Sequence, residues 1–99
     1  MKNLRKPNLP LKDFKLAMNA PISQWENFSH EERIDSCVKF LLLPFLELDK
    51  PITEEITRTI MPSAVDLAHQ AHSLSLENDG QFKTINDILE ASARLFMLE

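Results

Sequence analysis

The sequence predicts an all-α fold, a small irregular or orthogonal bundle of four to five helices, and three observations carry that prediction. Apolar residues recur at spacings of three and four over most of the chain. Helix-capping residues stand where several of these stripes begin. No stretch carries a convincing run of the strict apolar/polar alternation that a half-buried strand shows.

Residues 1–9 read as a basic, irregular N-terminal arm, and residues 10–99 as one helical domain. Pro7 and Pro10 deny helix to much of the arm and favour extended backbone. Over residues 10–20 a short helix is expected. Pro10 suits its first turn, Leu11, Phe14 and Met18 share a face, and Pro21 ends it. Residues 20–28 read as a connector that holds the only tryptophan, Trp25.

Ser29-His30-Glu31-Glu32 is the strongest local signal. The serine hydroxyl can accept the Glu32 amide hydrogen while the Glu32 carboxylate reaches back to the Ser29 amide, and Glu31 adds favourable charge in the first turn. Ile34, Cys37/Val38, Leu41, Phe45 and Leu48 follow at helical spacing, and Leu42, Leu43 and Leu46 widen the stripe beyond one face. This helix is expected to be central to the core. Pro44 interrupts it, and because the apolar phase continues past the proline, a kink or short break is expected.

Thr53 reads as an N-cap with Glu54 and Glu55 in the first turn, and Ile56 and Ile60 lie one turn apart. Pro62 is expected to break that helix and open the next, which runs over residues 63–76. There Ala64/Val65, Ala68 and Ala71 make a side of small residues suited to close approach of another helix. Residues 77–80 read as a turn, with the only glycine, Gly80, free to take positive φ. Thr84 and Asp87 offer a weaker relative of the capping box before Ile85, Ile88/Leu89, Ser92 and Leu95/Phe96.

Composition bounds the function. With 99 residues, 43% hydrophobic and 26% charged, the chain has room for one modest core. One glycine excludes collagen, and one cysteine excludes an internal disulfide framework. The longest apolar run covers residues 40–46, far short of the roughly 20 residues of a membrane span. No apolar segment follows Lys2, Arg5 and Lys6, which argues against a secretory leader. Cytoplasmic location is the simplest expectation, and Cys37 is expected to be a small buried hydrophobe.

The charge is unevenly distributed. Residues 1–16 hold Lys2, Arg5, Lys6, Lys12 and Lys15 against Asp13 alone, whereas the rest of the chain is acidic. Over residues 53–81 the only basic side chain among Lys and Arg is Arg58. The rough helix-turn-helix outline there therefore lacks the cations that a groove-facing helix needs against phosphate.

Residues of chemical interest have bland readings. Asp66, His69 and His72 share one helical edge, with His30 as a third imidazole only through an unknown tertiary contact. A structural zinc site or a carboxylate-bridged di-iron site needs more ligands than this, so no metal is expected. Glu31/Glu32 and Glu54/Glu55 are explained by helix energetics, and one glycine cannot build a phosphate loop. No catalytic residue and no cofactor is expected.

The expected function is a small non-enzymatic protein–protein interaction module or adaptor, an accessory or regulatory factor acting through an apolar helical face. Phe14, Trp25, Phe28, Phe96, Met97 and Leu98 are the candidate partner-binding residues, and Lys2, Arg5, Lys6, Lys12 and Lys15 the candidate charged contacts. The partner is another protein, or a second copy of the chain in a homodimer. Nucleic acid and membrane are not expected as partners. The alternative reading is a nucleic-acid-associated regulator using the basic arm, or an acidic inhibitor of a DNA-binding protein.

Overall fold

A computed structural model of the chain describes residues 8–77 and 80–98, with side chains described over 12–77 and 80–95. Among the described residues there are five helices: α1 (Asn8–Met18), α2 (Ile22–Asn27), α3 (His30–Glu47), α4 (Glu54–Leu76) and α5 (Ile85–Leu98). The protein is a small all-α bundle. α3 packs on α4 and α1, α4 packs on α5, and α2 lies against α5. No helix among the described residues is long and apolar enough to cross a membrane.

The capping signals work as the sequence predicts. Ser29 Oγ accepts from the Glu32 amide at 3.2 Å, and Glu32 Oε1 accepts from the Ser29 amide at 2.8 Å, which completes the capping box of α3. Thr53 Oγ1 accepts from the Ile56 amide at 3.1 Å at the start of α4. At α5, Thr84 Oγ1 accepts from the Asp87 amide, while one Asp87 carboxylate oxygen accepts from the amides of both Thr84 and Lys83. Those two amides hold the Asp87 carboxyl below its ordinary pKa of 3.8, because they favour the charged form.

The turns behave as their residues dictate. Gly80 adopts φ 102, in the left-handed half of the map. Asp49 does so as well, at φ 58, and the sequence reading did not single it out. It stands just past the end of α3, where the Asp49 amide donates to Leu46 O and the Lys50 amide donates to Phe45 O. That pair of bonds is a Schellman closure, and aspartate is one of the few residues besides glycine that tolerates its positive φ.

Three boundaries differ from the sequence expectation. α1 begins at Asn8, so Asn8 and Leu9 belong to a helix rather than to the arm; residues 1–7 of the arm lie outside the described residues. The expected connector over 20–28 contains α2. Pro21 stands at the N-cap of α2 with extended backbone at φ -67 and ψ 152. Flanking bonds from the Ile22 amide to Lys83 O and from the Ile85 amide to Ala20 O tie this junction to the start of α5. That long-range bridge, between Pro21 and Thr84, has no counterpart in local sequence.

Pro62 is the third difference. It does not separate two helices, and α4 runs unbroken through it, as α3 runs through Pro44. Each ring removes one amide donor and leaves the carbonyl four residues earlier without its usual partner. Both prolines are exposed, so the interrupted ladder lies on the side that water can reach. The opposite faces of both helices are held by packing.

The core draws on every helix. Met18 comes from α1, Trp25 from α2, Cys37 from α3, Ala64, Leu67, Ala68 and Ala71 from α4, and Ile85, Ile88 and Leu89 from α5. The alanine stripe of α4 is buried, as its small residues imply. α3 contributes less to the fully buried set than its apolar content predicts. Ile34, Val38, Phe40, Leu41 and Leu43 are only partly buried against the core, and this surplus shapes the surface described next.

Candidate functional site

Two depressions on the bundle carry the arrangements of most chemical interest. The first is a groove of about 480 Å³ where α1, α3 and α5 meet. Phe40, Leu41, Leu43 and Pro44 of α3 and Met18 of α1 form its apolar part. Lys15, Asn19, Glu47, Asn86 and Glu90 form its polar part. Lys15 Nζ lies 3.5 Å from Glu47 Oε2, an ion pair between α1 and α3 with both side chains about half exposed. Exposed pairs of this kind contribute little stability, but they fix where charge sits along an edge. With Lys15 engaged by Glu47, Glu90 is left as the uncompensated charge of the lining.

The second depression is a smaller cleft of about 260 Å³ between α3 and α4, lined by His30, Arg33, Ala68, His69, His72 and Ser73. The His30 and His69 rings are 5.4 Å apart between centroids and tilted by 55°. His72 is half-buried, and its pKa is held below 6.5 first by partial desolvation and then by the positive charges of Arg33, His30 and His69. Arg33 is fixed from behind. Its Nε donates to Trp25 O at 3.2 Å, one Nη donates to Glu26 O at 3.3 Å, and the guanidinium stands 5.8 Å from the centroid of the Trp25 ring.

The candidate partner-binding residues are spread over the fold. Trp25 is fully buried and therefore belongs to the core, not to a partner-facing patch. Its indole nitrogen has no hydrogen-bond partner among the described residues. Phe28 packs partly buried beside it, with ring centroids 6.5 Å apart. Phe14 is half-buried and lies under the Lys39 ammonium, 6.0 Å from the ring centroid. Phe96, Met97 and Leu98 fall in the last turn of α5, with side chains outside the described residues. Of the candidate charged contacts, Lys12 is exposed and Lys15 edges the groove, while Lys2, Arg5 and Lys6 lie outside the described residues.

Other candidates resolve simply. The Cys37 thiol is buried among apolar residues, and burial pushes its pKa up to about 12, which removes it as a nucleophile at neutral pH. His30 and His69 are exposed, and the tertiary contact between them is the one that sequence left unknown. Among the described residues, no group of three or more His, Cys, Asp or Glu is placed to hold a metal ion. Sequence reasoning missed Arg33 as a member of the histidine cleft. Its signal was the three-residue spacing from His30, which puts both on one face of α3.

Fold and surface give a class: a small all-α protein, with five helices among the described residues, and two open depressions on the surface between them. No family model, no curated protein and no solved structure matches the chain.

Proposed function

We propose that the protein is a non-enzymatic helical interaction module that receives an amphipathic partner helix in the groove between α1, α3 and α5. The observation that carries this reading is the half-buried apolar strip of Phe40, Leu41 and Leu43, left open by the bundle and bordered by Lys15, Glu47 and Glu90. A groove of about 480 Å³ accommodates a few apolar side chains. A helix offering such side chains at three- and four-residue spacing would bury them there, which is the usual mode of helix-in-groove recognition. Glu90, which forms no ion pair among the described residues, and the acidic body select an occupant with Lys or Arg beside its apolar anchors. The lone buried thiol suits a reducing cytoplasm, where we expect the module to act.

The test is selection from a displayed library of helical peptides, followed by binding measurements on Leu43→Glu and on a Gln24→Glu control, with helicity of both checked by circular dichroism. Selected peptides should carry apolar anchors one turn apart with flanking basic residues. Leu43→Glu should weaken them at least about tenfold, equivalent to about 1.4 kcal/mol, while Gln24→Glu leaves them unchanged. Peptides without this pattern, or binding indifferent to Leu43→Glu in a folded variant, would overturn the reading. A dimer that Leu43→Glu dissociates would replace the partner helix with a second copy of this chain.

A further inference from the structure

The cleft between α3 and α4 shares no lining residue with the groove, and its chemistry is different. We propose that His30, Arg33, His69 and His72 form a binding site for the phosphate group of a small molecule, and that the site fills as pH falls toward the histidine range.

The donor inventory supports an anion. Arg33 has five N–H donors, and its bonds to Trp25 O and Glu26 O use two of them. Those bonds and the Trp25 ring hold the guanidinium in place, so little side-chain freedom remains to be lost on binding. The Ser73 hydroxyl and the three imidazoles add further donors to the same lining; His72 Nδ1 lies 3.4 Å from Ser75 Oγ, so His72 offers a ligand its Nε2. The lining contains no carboxylate. At 260 Å³ the cleft has room for a phosphate group together with part of the molecule that carries it.

A cation fits less well. Three imidazoles resemble part of a metal site, but the permanently charged Arg33 guanidinium stands in the same lining and repels a divalent ion.

The nearby carboxylates are engaged or stand outside the lining. On α3, Glu32 bonds back to the Ser29 amide, Asp35 pairs with Lys39 at 3.2 Å, and Glu31 is exposed in the first turn. On α2, Glu26 meets Arg33 through its backbone carbonyl. On α4, Asp66 is exposed one turn before His69. The charges that act on His72 are Arg33 and His30 from α3 and His69 from its own helix, all positive or able to become so. With burial, their repulsion disfavours a proton on His72 in the empty cleft. A bound dianion relieves it, so proton uptake and anion binding assist each other.

The experiment follows the side-chain ¹⁵N resonances of the histidines of the full chain during titration with inorganic phosphate. Parallel titrations use O-phosphoserine as a phosphomonoester, and chloride at matched ionic strength. All three histidines should shift saturably with either phosphate compound and not with chloride, and affinity should rise about tenfold between about pH 7.5 and pH 6. Tighter binding of phosphoserine than of phosphate would identify a phosphorylated small molecule as the ligand, and the reverse would identify the free ion. Arg33→Gln should abolish the response. Because Arg33 also braces α2, His69→Gln provides a second variant at an exposed position and should lower affinity at least about fivefold without altering the fold. Absence of saturable shifts, pH-independent affinity, or zinc binding that phosphate does not oppose would overturn the proposal.

Discussion

His30, in the first turn of α3, holds its ring 5.4 Å from that of His69 near the middle of α4, and Arg33 and His72 line the same cleft. The contact joins the capped start of one helix to the polar edge of another. It concentrates three titratable imidazoles beside one permanent cation, which has consequences for stability as well as for binding.

In phosphate-free buffer, stability should fall as pH drops through the histidine range. His72 has a folded pKa below its ordinary 6.5, so the unfolded chain binds more protons in that window and stability rises with pH across it. His72→Gln should flatten this dependence, read as Tm against pH. Asp87 acts in a separate, acidic window. Its folded pKa lies below 3.8, so its contribution is present above that value and disappears as pH falls through the folded pKa.

Removing the caps should be costly and additive. Ser29→Ala and Thr84→Ala each delete a hydroxyl that accepts an amide hydrogen in the first turn of its helix, and each should cost about 1 kcal/mol. The two sites begin different helices and share no partner, so urea denaturation of the double variant should give the sum to within about 0.5 kcal/mol.

Pro62→Ala should stabilise the protein. It restores an amide donor to the interior of α4 at an exposed position. An interior proline costs about 3 kcal/mol relative to alanine, and the greater freedom of the unfolded chain gives back up to about 1 kcal/mol of that, for a net gain near 2 kcal/mol. Helical content by circular dichroism should be unchanged, because α4 is already continuous.

Ala71→Leu tests the close approach along α4. Ala71 has no exposed surface, so the larger side chain must displace packed neighbours, at a cost of about 1–3 kcal/mol by denaturation.

Cys37 should be silent toward thiol reagents in the folded protein. Burial and a pKa near 12 leave almost no accessible thiolate. Its labelling rate should rise with denaturant in step with unfolding measured by circular dichroism.

Local sequence carries the all-α class, the capped starts of α3, α4 and α5, the buried alanine side of α4 and the positive φ of Gly80. Each depends on interactions within about one helical turn, between a side chain and a nearby amide or along a single face, and such interactions are written in local spacing. The remaining features come from contacts between helices. Pro62 stays inside a continuous helix because long-range packing holds the face opposite its exposed ring, and residues 22–27 become a helix where backbone bonds tie Pro21 and Ile22 to the start of α5. Trp25 moved from candidate contact to core for the same reason. The groove and the histidine–arginine cleft are likewise products of helix docking. Phe40 with Met18, and Arg33 with His72, become neighbours only when helices pack, and packing angle is set by the whole set of interlocking side chains rather than by any local pattern.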